Sequence, residues 1–322
     1  MSEGEPDRDV DEQPHLFEVP DASIAEELPP EPLVKSPEIP VWTDNKARLI
    51  MLYLKYFVFI TKHGTYIDGF AGPQDECETD SWAAKLVLES EPRWMRHFHL
   101  CDENRMQFAR LERLKNSQPQ FDSSGHRLHR DTHLYRGDFN AKVDEILATG
   151  NITENEATFC LLDQRTFECQ WMTVEKLACY KKSGNKIELF YFLANGWLER
   201  ALAGQKDLDV LERWWGRDDW TSLRSMTRDE RKEAIVLRMK SDLRYKSVKA
   251  WPIYERPDGG ATMYYMIHAT DHPDAPMQMS RAYRHVVRVG EPAKQIKLDL
   301  LFDAKGPNLD STTAQLETQR SA

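Results

Sequence analysis

Tyr66-Ile67-Asp68-Gly69-Phe70-Ala71-Gly72-Pro73 runs from apolar residues straight into an acid and two glycines. The apolar run predicts a strand over 65–68, and the glycines predict a tight turn at its carboxyl end. Glycine lets a backbone approach a ligand closely, and a carboxylate can meet a ligand's cationic or hydroxyl groups. Asp68, Gly69, Phe70, Ala71 and Gly72 are therefore candidate ligand-binding residues, although a plain strand-to-helix turn explains the same glycines.

Outward from this turn, short apolar runs alternate with helical spacing. Residues 42–61 predict a helix, with Thr43 as cap and Leu49, Ile50, Tyr53, Tyr56, Phe57 and Ile60 on one face. Strands are expected at 97–101, 134–137, 158–163 and 186–193. Helices are expected between them, at 81–88 (Ser81 as cap), 103–115, 139–147 and 173–180. That alternation implies βαβ units and a parallel sheet with helices on both faces. Residues 197–250 then predict a helical insertion rich in Trp and Arg. Residues 249–255 and 262–269, around a Pro-Asp-Gly-Gly turn at 257–260, predict a β-hairpin. Five parallel strands closed by an antiparallel hairpin is the order of a Rossmann-like class I methyltransferase sheet. A dinucleotide-binding dehydrogenase would finish on a parallel strand.

Three further strands end in acids. Asp102, 34 residues after Asp68, is placed to chelate a ribose diol, while Glu103 beside it suits a helix N-terminus. Asp138 can accept from an exocyclic adenine amine, with Phe139 packing on the ring, and it can also be a helix N-cap. Asp163 closes the fourth strand where a substrate would meet a bound donor. Arg165 can hold a phosphate or carboxylate of that substrate, or pair locally with Glu168 or Glu175. Cys169 lies near this segment but has no His beside it in sequence, so a buried structural thiol is the expectation.

The charge is divided unevenly. Net charge is −10, yet residues 1–40 hold 12 acids against Arg8 and Lys35, and the rest is balanced at 41 acids and 41 bases. Residues 1–40 also hold 8 of the 17 prolines, so they predict a disordered acidic tail. Residues 41–303 predict one domain, and 304–322 a second disordered tail. Residues 224–249 carry nine Lys/Arg against four acids, a pattern that reads either as a phosphate-binding face for nucleic acid or as an ordinary solvated helix. Five scattered Cys without a CxxC pair and no HExxH pattern predict no metal site and no disulfides. No run reaches membrane-spanning length, and the first residues carry no basic or apolar leader pattern, so a cytoplasmic protein is expected.

The chain resembles the three-Cys-motif partner proteins (TcmP). The resemblance runs from Val41-Trp42-Thr43 through the Asp68 turn, Gly137-Asp138-Phe139-Asn140 and Leu161-Leu162-Asp163 to Tyr264-Tyr265-Met266-Ile267-His268-Ala269-Thr270, roughly residues 40–290. It implies a class I methyltransferase fold, S-adenosylmethionine as cofactor, and a partner protein that carries the three cysteines. Two positions depart from the family pattern. Gln74 stands where a glycine usually follows Pro73, and Gln164 stands where a proline usually follows the strand-four acid. The acidic run Asp75-Glu76-Cys77-Glu78 after Gln74 suits a sulfonium ligand better than a phosphate. By similarity to amino-methyltransferases, Asp163 with Phe167 or Trp171 would hold and stack a planar amine acceptor.

Three functions fit these residues. The first is methyl transfer from S-adenosylmethionine to a nucleic-acid base or other amine. The second is a diverged methyltransferase-like fold acting as a binding partner, motivated by Gln74 and Gln164. The third is a nuclease or hydrolase working through acid-bound Mg²⁺.

Overall fold

The strand runs are apolar at nearly every position because both of their faces are covered. In a computed structural model describing residues 46–73, 81–204, 208–256 and 259–287, β1 (Gly64–Asp68), β4 (Thr158–Leu162) and β5 (Glu188–Leu193) are buried throughout. Successive residues alternate between two cores. Tyr66, Phe159, Leu161, Phe190 and Phe192 face one, while Ile67, Cys160, Leu162, Leu189, Tyr191 and Leu193 face the other.

With β2 (Met95–Asp102), β3 (Asp131–Arg136), β6 (Ser247–Arg256) and β7 (Gly259–Thr270), the seven strands lie in the order β3-β2-β1-β4-β5-β7-β6. The first five are parallel, and β7 runs antiparallel to both β5 and β6. This α/β fold has the sheet expected from the sequence, including its antiparallel close.

The first core packs α1 (Lys46–Thr61), α2 (Ala83–Glu89), α3 (Arg105–Asn116) and α9 (Ala275–Val287) on the sheet. The second packs α4 (Phe139–Leu147), α5 (Trp171–Cys179), α6 (Asn195–Gly204), α7 (Leu208–Trp215), a 3₁₀ turn at Asp218–Arg224 and α8 (Arg228–Ser241). The helical insertion between β5 and β6 thus belongs to one face of the sheet. Its α8 starts on a capping box, Thr227 with Glu230.

Element ends differ locally from the sequence reading. Trp82, not Ser81, precedes α2, and Asn104 caps α3 by accepting from Met106 and Gln107 N–H. The terminal segments, Thr43, the loop from Gln74 to Glu78 and residues 257–258 of the hairpin turn lie outside the described residues. No helix among the described residues is long and apolar enough to cross a membrane.

Candidate active site

The sheet order reverses between β1 and β4, and ligands of open α/β sheets bind outside the carboxyl ends of the strands at such a point. A cleft of about 350 Å³ opens there. It brings together Gly69, Phe70, Gly72, Asp102, Asp138, Phe139, Asp163 and Arg165, with Glu103, Asn104 and Gln107 from the start of α3. That volume suits a nucleoside-sized ligand.

Asp102 is set by two backbone donors. Gly72 N–H donates to its Oδ2 and Asn104 N–H to its Oδ1, both at 2.8 Å. Each oxygen keeps a lone pair for a further donor. Partial burial raises its pKa from the ordinary carboxylate value, against these same bonds. The close approach explains Gly72, because a Cβ there would meet Asp102 Oδ2 and stand 2.5 Å from Gln107 Cβ. Gly69 lies over the buried Phe139 ring, where a Cβ would come within 2.8 Å.

Asp138 caps α4, its Oδ1 accepting from the Asn140 backbone and side chain. Asn140, which the sequence reading did not single out, also donates to Glu168 O and accepts from Gln170 N–H and Thr173 Oγ1. It ties the strand-three corner to the loop that carries Arg165.

Asp163 is held by a residue the sequence reading missed. Lys46, at the start of α1, places Nζ 2.8 and 2.7 Å from the two carboxylate oxygens, with side chains 6% and 11% exposed. The Lys46 ammonium also lies 4.8 Å from the Phe192 ring centre and 5.6 Å from that of Tyr264. The two charged residues are 117 positions apart, so no local pattern could pair them. Gln164 turns into the core, donating to Phe192 O and accepting from Cys169 N–H, and so clasps the loop after Asp163 to β5. Arg165 is exposed on the cleft wall and makes no ion pair among the described residues, so neither Glu168 nor Glu175 holds it.

Other expected site residues stand elsewhere. Asp68 is 2% exposed and accepts from Tyr66 Oη and Phe70 N–H, fixing the turn from beneath. Burial pushes its pKa up to about 7. Ala71 is buried, its carbonyl accepting from Trp82 Nε1. Phe167 and Trp171 do not line the cleft. The ring of Phe167 packs edge-on against Trp214, and Trp171 lies under the Arg238 guanidinium, so the insertion helices draw both inward. Cys169 is fully buried, and burial pushes its thiol far up, which suits a structural role.

On the basic segment, Arg231 and Arg238 are buried and donate to Leu223 O and Trp215 O, while Arg228 pairs with Glu199 and Lys232 with Asp229 and Glu233. Among the described residues no three His, Cys, Asp or Glu side chains are grouped to hold a metal ion.

The sequence matches no family model and no curated relative. Solved structures similar to this chain include a putative class I S-adenosylmethionine-dependent methyltransferase from Listeria monocytogenes, at 10% identity and TM-score 0.37, covering 73% of this chain and 62% of that one. The chain thus spans under two thirds of that protein's length. A DUF574 family protein from Streptomyces avermitilis matches at 13% identity and TM-score 0.37, covering 69% of this chain and 82% of that one.

Proposed function

We propose that this chain binds S-adenosylmethionine in the β1–β4 cleft and transfers its methyl group. The observation that carries the reading is the convergence of Asp102, Asp138 and Asp163, from the ends of three different strands, on one cleft roofed by Gly69 and Gly72. The donor set fits the ligand. The cleft walls offer carboxylates and close backbone, and Arg165 is the one cation lining them among the described residues, which suits a ligand with hydroxyls, an ammonium and no phosphate. Asp102, with a lone pair left on each oxygen, would take the ribose hydroxyls. Asp138, whose Oδ2 accepts from no described residue, would take the adenine amine beside Phe139. Gly69 and Phe70 would lie along the methionine portion. When bound, the cofactor supplies an electrophilic methyl on a sulfonium. Asp163 stands at the acceptor end, oriented by Lys46.

The resemblance to the TcmP family supports a finer reading, in which the chain works beside a cytoplasmic partner with a three-cysteine motif and residues 41–303 form the catalytic domain between two tails. Nucleic acid remains an acceptor class for the same site, although the inward-turned arginines of α8 contribute little to holding it.

Calorimetry with S-adenosylhomocysteine tests the core of the proposal. Binding is expected for the native chain, with at least tenfold loss for Asp102→Ala at unchanged circular dichroism, as removal of a charged hydrogen-bond acceptor costs about 1.5–3 kcal/mol. Folded native protein that gives no heat at high micromolar ligand refutes it.

A further inference from the structure

The edge of the sheet opposite the cleft carries a second cavity, of about 370 Å³, between the end of α3 and the start of β3. Its charged lining residues are Lys115, Arg127 and Arg130, and no carboxylate lines it. We infer that this cavity binds a small phosphomonoester, with the phosphate on the three cations and a polar body on the side-chain amides beside them. It shares no residue with the S-adenosylmethionine cleft and does not depend on that reading.

Local folding brings the cations together. Lys115 stands in the last turn of α3. The chain then folds back on itself. Phe121 pairs with Arg127, and Leu128 N–H donates to Gln120 O at 2.8 Å, which returns Arg127 toward the helix end. Side chains alternate on entry to β3, so Leu128, Arg130 and Thr132 line the cavity while Asp131 turns to the other face, 3.6 Å from His97 Nδ1. The acid of the turn, Asp122, accepts from the Ser124 and His126 N–H groups.

Arg130 is the fixed element. Its Nε donates to Met95 O at 3.2 Å and its Nη1 to Leu88 O at 2.9 Å, and the guanidinium lies 4.6 Å from the Phe98 ring centre. Nη2 donates to no described residue. Burial pushes the Arg130 pKa down to about 10 and the charge of Arg93 adds to that shift, while the opposing acid, Glu91, is paired with Arg93 at 2.7 Å. Lys115 and Arg127 are exposed and form no ion pair among the described residues. Two guanidinium groups and an ammonium lining one cavity suit the oxygens of a phosphate. The negative end of the α3 dipole opposes an anion here, but it amounts to roughly half a charge. Its last carbonyls are also occupied, because Ser117 Oγ and Gln118 Nε2 donate to Leu114 O, and Ser117 N–H donates to Arg113 O and Lys115 O.

The Asn116 and Gln120 amides and the Thr132 hydroxyl line the same cavity and make no side-chain hydrogen bond among the described residues. They offer donors and acceptors to the hydroxyls of a sugar. The volume is that of a small-molecule site.

The test is calorimetry on the full chain at constant ionic strength, with ribose 5-phosphate, ribose and inorganic phosphate as probes. Ribose 5-phosphate is expected to bind about tenfold more tightly than inorganic phosphate, and ribose to give no heat. Lys115→Ala with Arg127→Ala, both at exposed positions, is expected to weaken ribose 5-phosphate about tenfold at an unchanged urea midpoint. Folded native protein that gives no heat with millimolar ribose 5-phosphate overturns the inference. Equal affinity for inorganic phosphate means an adventitious ion only and overturns it too. A folded double variant that binds like native protein places the phosphate elsewhere, with the same consequence. A single-stranded oligonucleotide that binds where ribose 5-phosphate does not would make this face a nucleic-acid surface, which also overturns it.

Discussion

Replacing Gly72 with alanine probes the geometry of the cleft at its tightest point. The added Cβ would meet the Asp102 carboxylate and stand 2.5 Å from Gln107 Cβ, well inside van der Waals contact. Neither neighbour is a flexible tip. Asp102 is fixed by the Asn104 N–H, and Gln107 Cβ sits on the first turn of α3. The loop must therefore lift, breaking the 2.8 Å bond from Gly72 N–H to Asp102 Oδ2. Overpacking of this kind costs about 1–3 kcal/mol. Gly72 has no left-handed backbone angle, so the substitution adds little strain of its own. If the displacement falls on the Asp102 carboxylate, affinity for S-adenosylhomocysteine should drop about ten- to a hundredfold, at 1.4 kcal/mol per tenfold. Calorimetry measures the affinity, and urea melts measure the fold. Gly196→Ala in α6, where a Cβ meets nothing within 4 Å, is the control and should leave affinity unchanged while stabilising the chain by roughly 0.4–1 kcal/mol. A Gly72→Ala protein that binds within threefold of native and melts at the same urea concentration would refute the placement of Asp102 against this loop.

Other consequences concern the buried charges. Asp68 has a folded pKa of about 7, above its unfolded value, so it holds its proton more tightly when folded. Its contribution is full below about pH 4 and is lost as pH rises through about 7, on the order of 4 kcal/mol in total. Asp68→Asn should flatten that fall, gaining stability on native protein between pH 5 and 8 in urea melts; parallel pH profiles would disprove the assignment. Lys46→Met or Asp163→Asn alone leaves a shielded charge without its main partner and should cost about 3–5 kcal/mol. The double variant should cost clearly less than the sum, and strict additivity in the melts would mean that the pair is not formed.

The glycine turn, the acids at strand ends and the Asp138 cap were legible in the sequence because each is a local signal. A strand buried on both faces must be apolar along its length, so the polar residue that ends the run marks the carboxyl edge where ligands bind. The same pattern foretold the antiparallel hairpin, whose two strands flank a turn only a few residues long. Gln164 reads locally as a lost proline; its contacts show a buried amide joining β4, β5 and the Cys169 loop.

Local pattern could not decide what the remaining side chains face. Phe167 and Trp171 read as exposed stackers until α7 and α8 cover them, and the basic run of α8 reads as a surface until Arg231 and Arg238 turn inward. Asp163 has the same identity in either case, but its chemistry depends on Lys46, brought from before the first strand by the packing of α1 against the sheet. The sequence by itself determined the strands, their order of types and the acids at their ends, since those follow from burial and spacing along the chain. The tertiary structure alone decided which acids share a cleft and which of them is already neutralised. Those properties depend on distances between residues a hundred positions apart, which the crossovers and helix packing set.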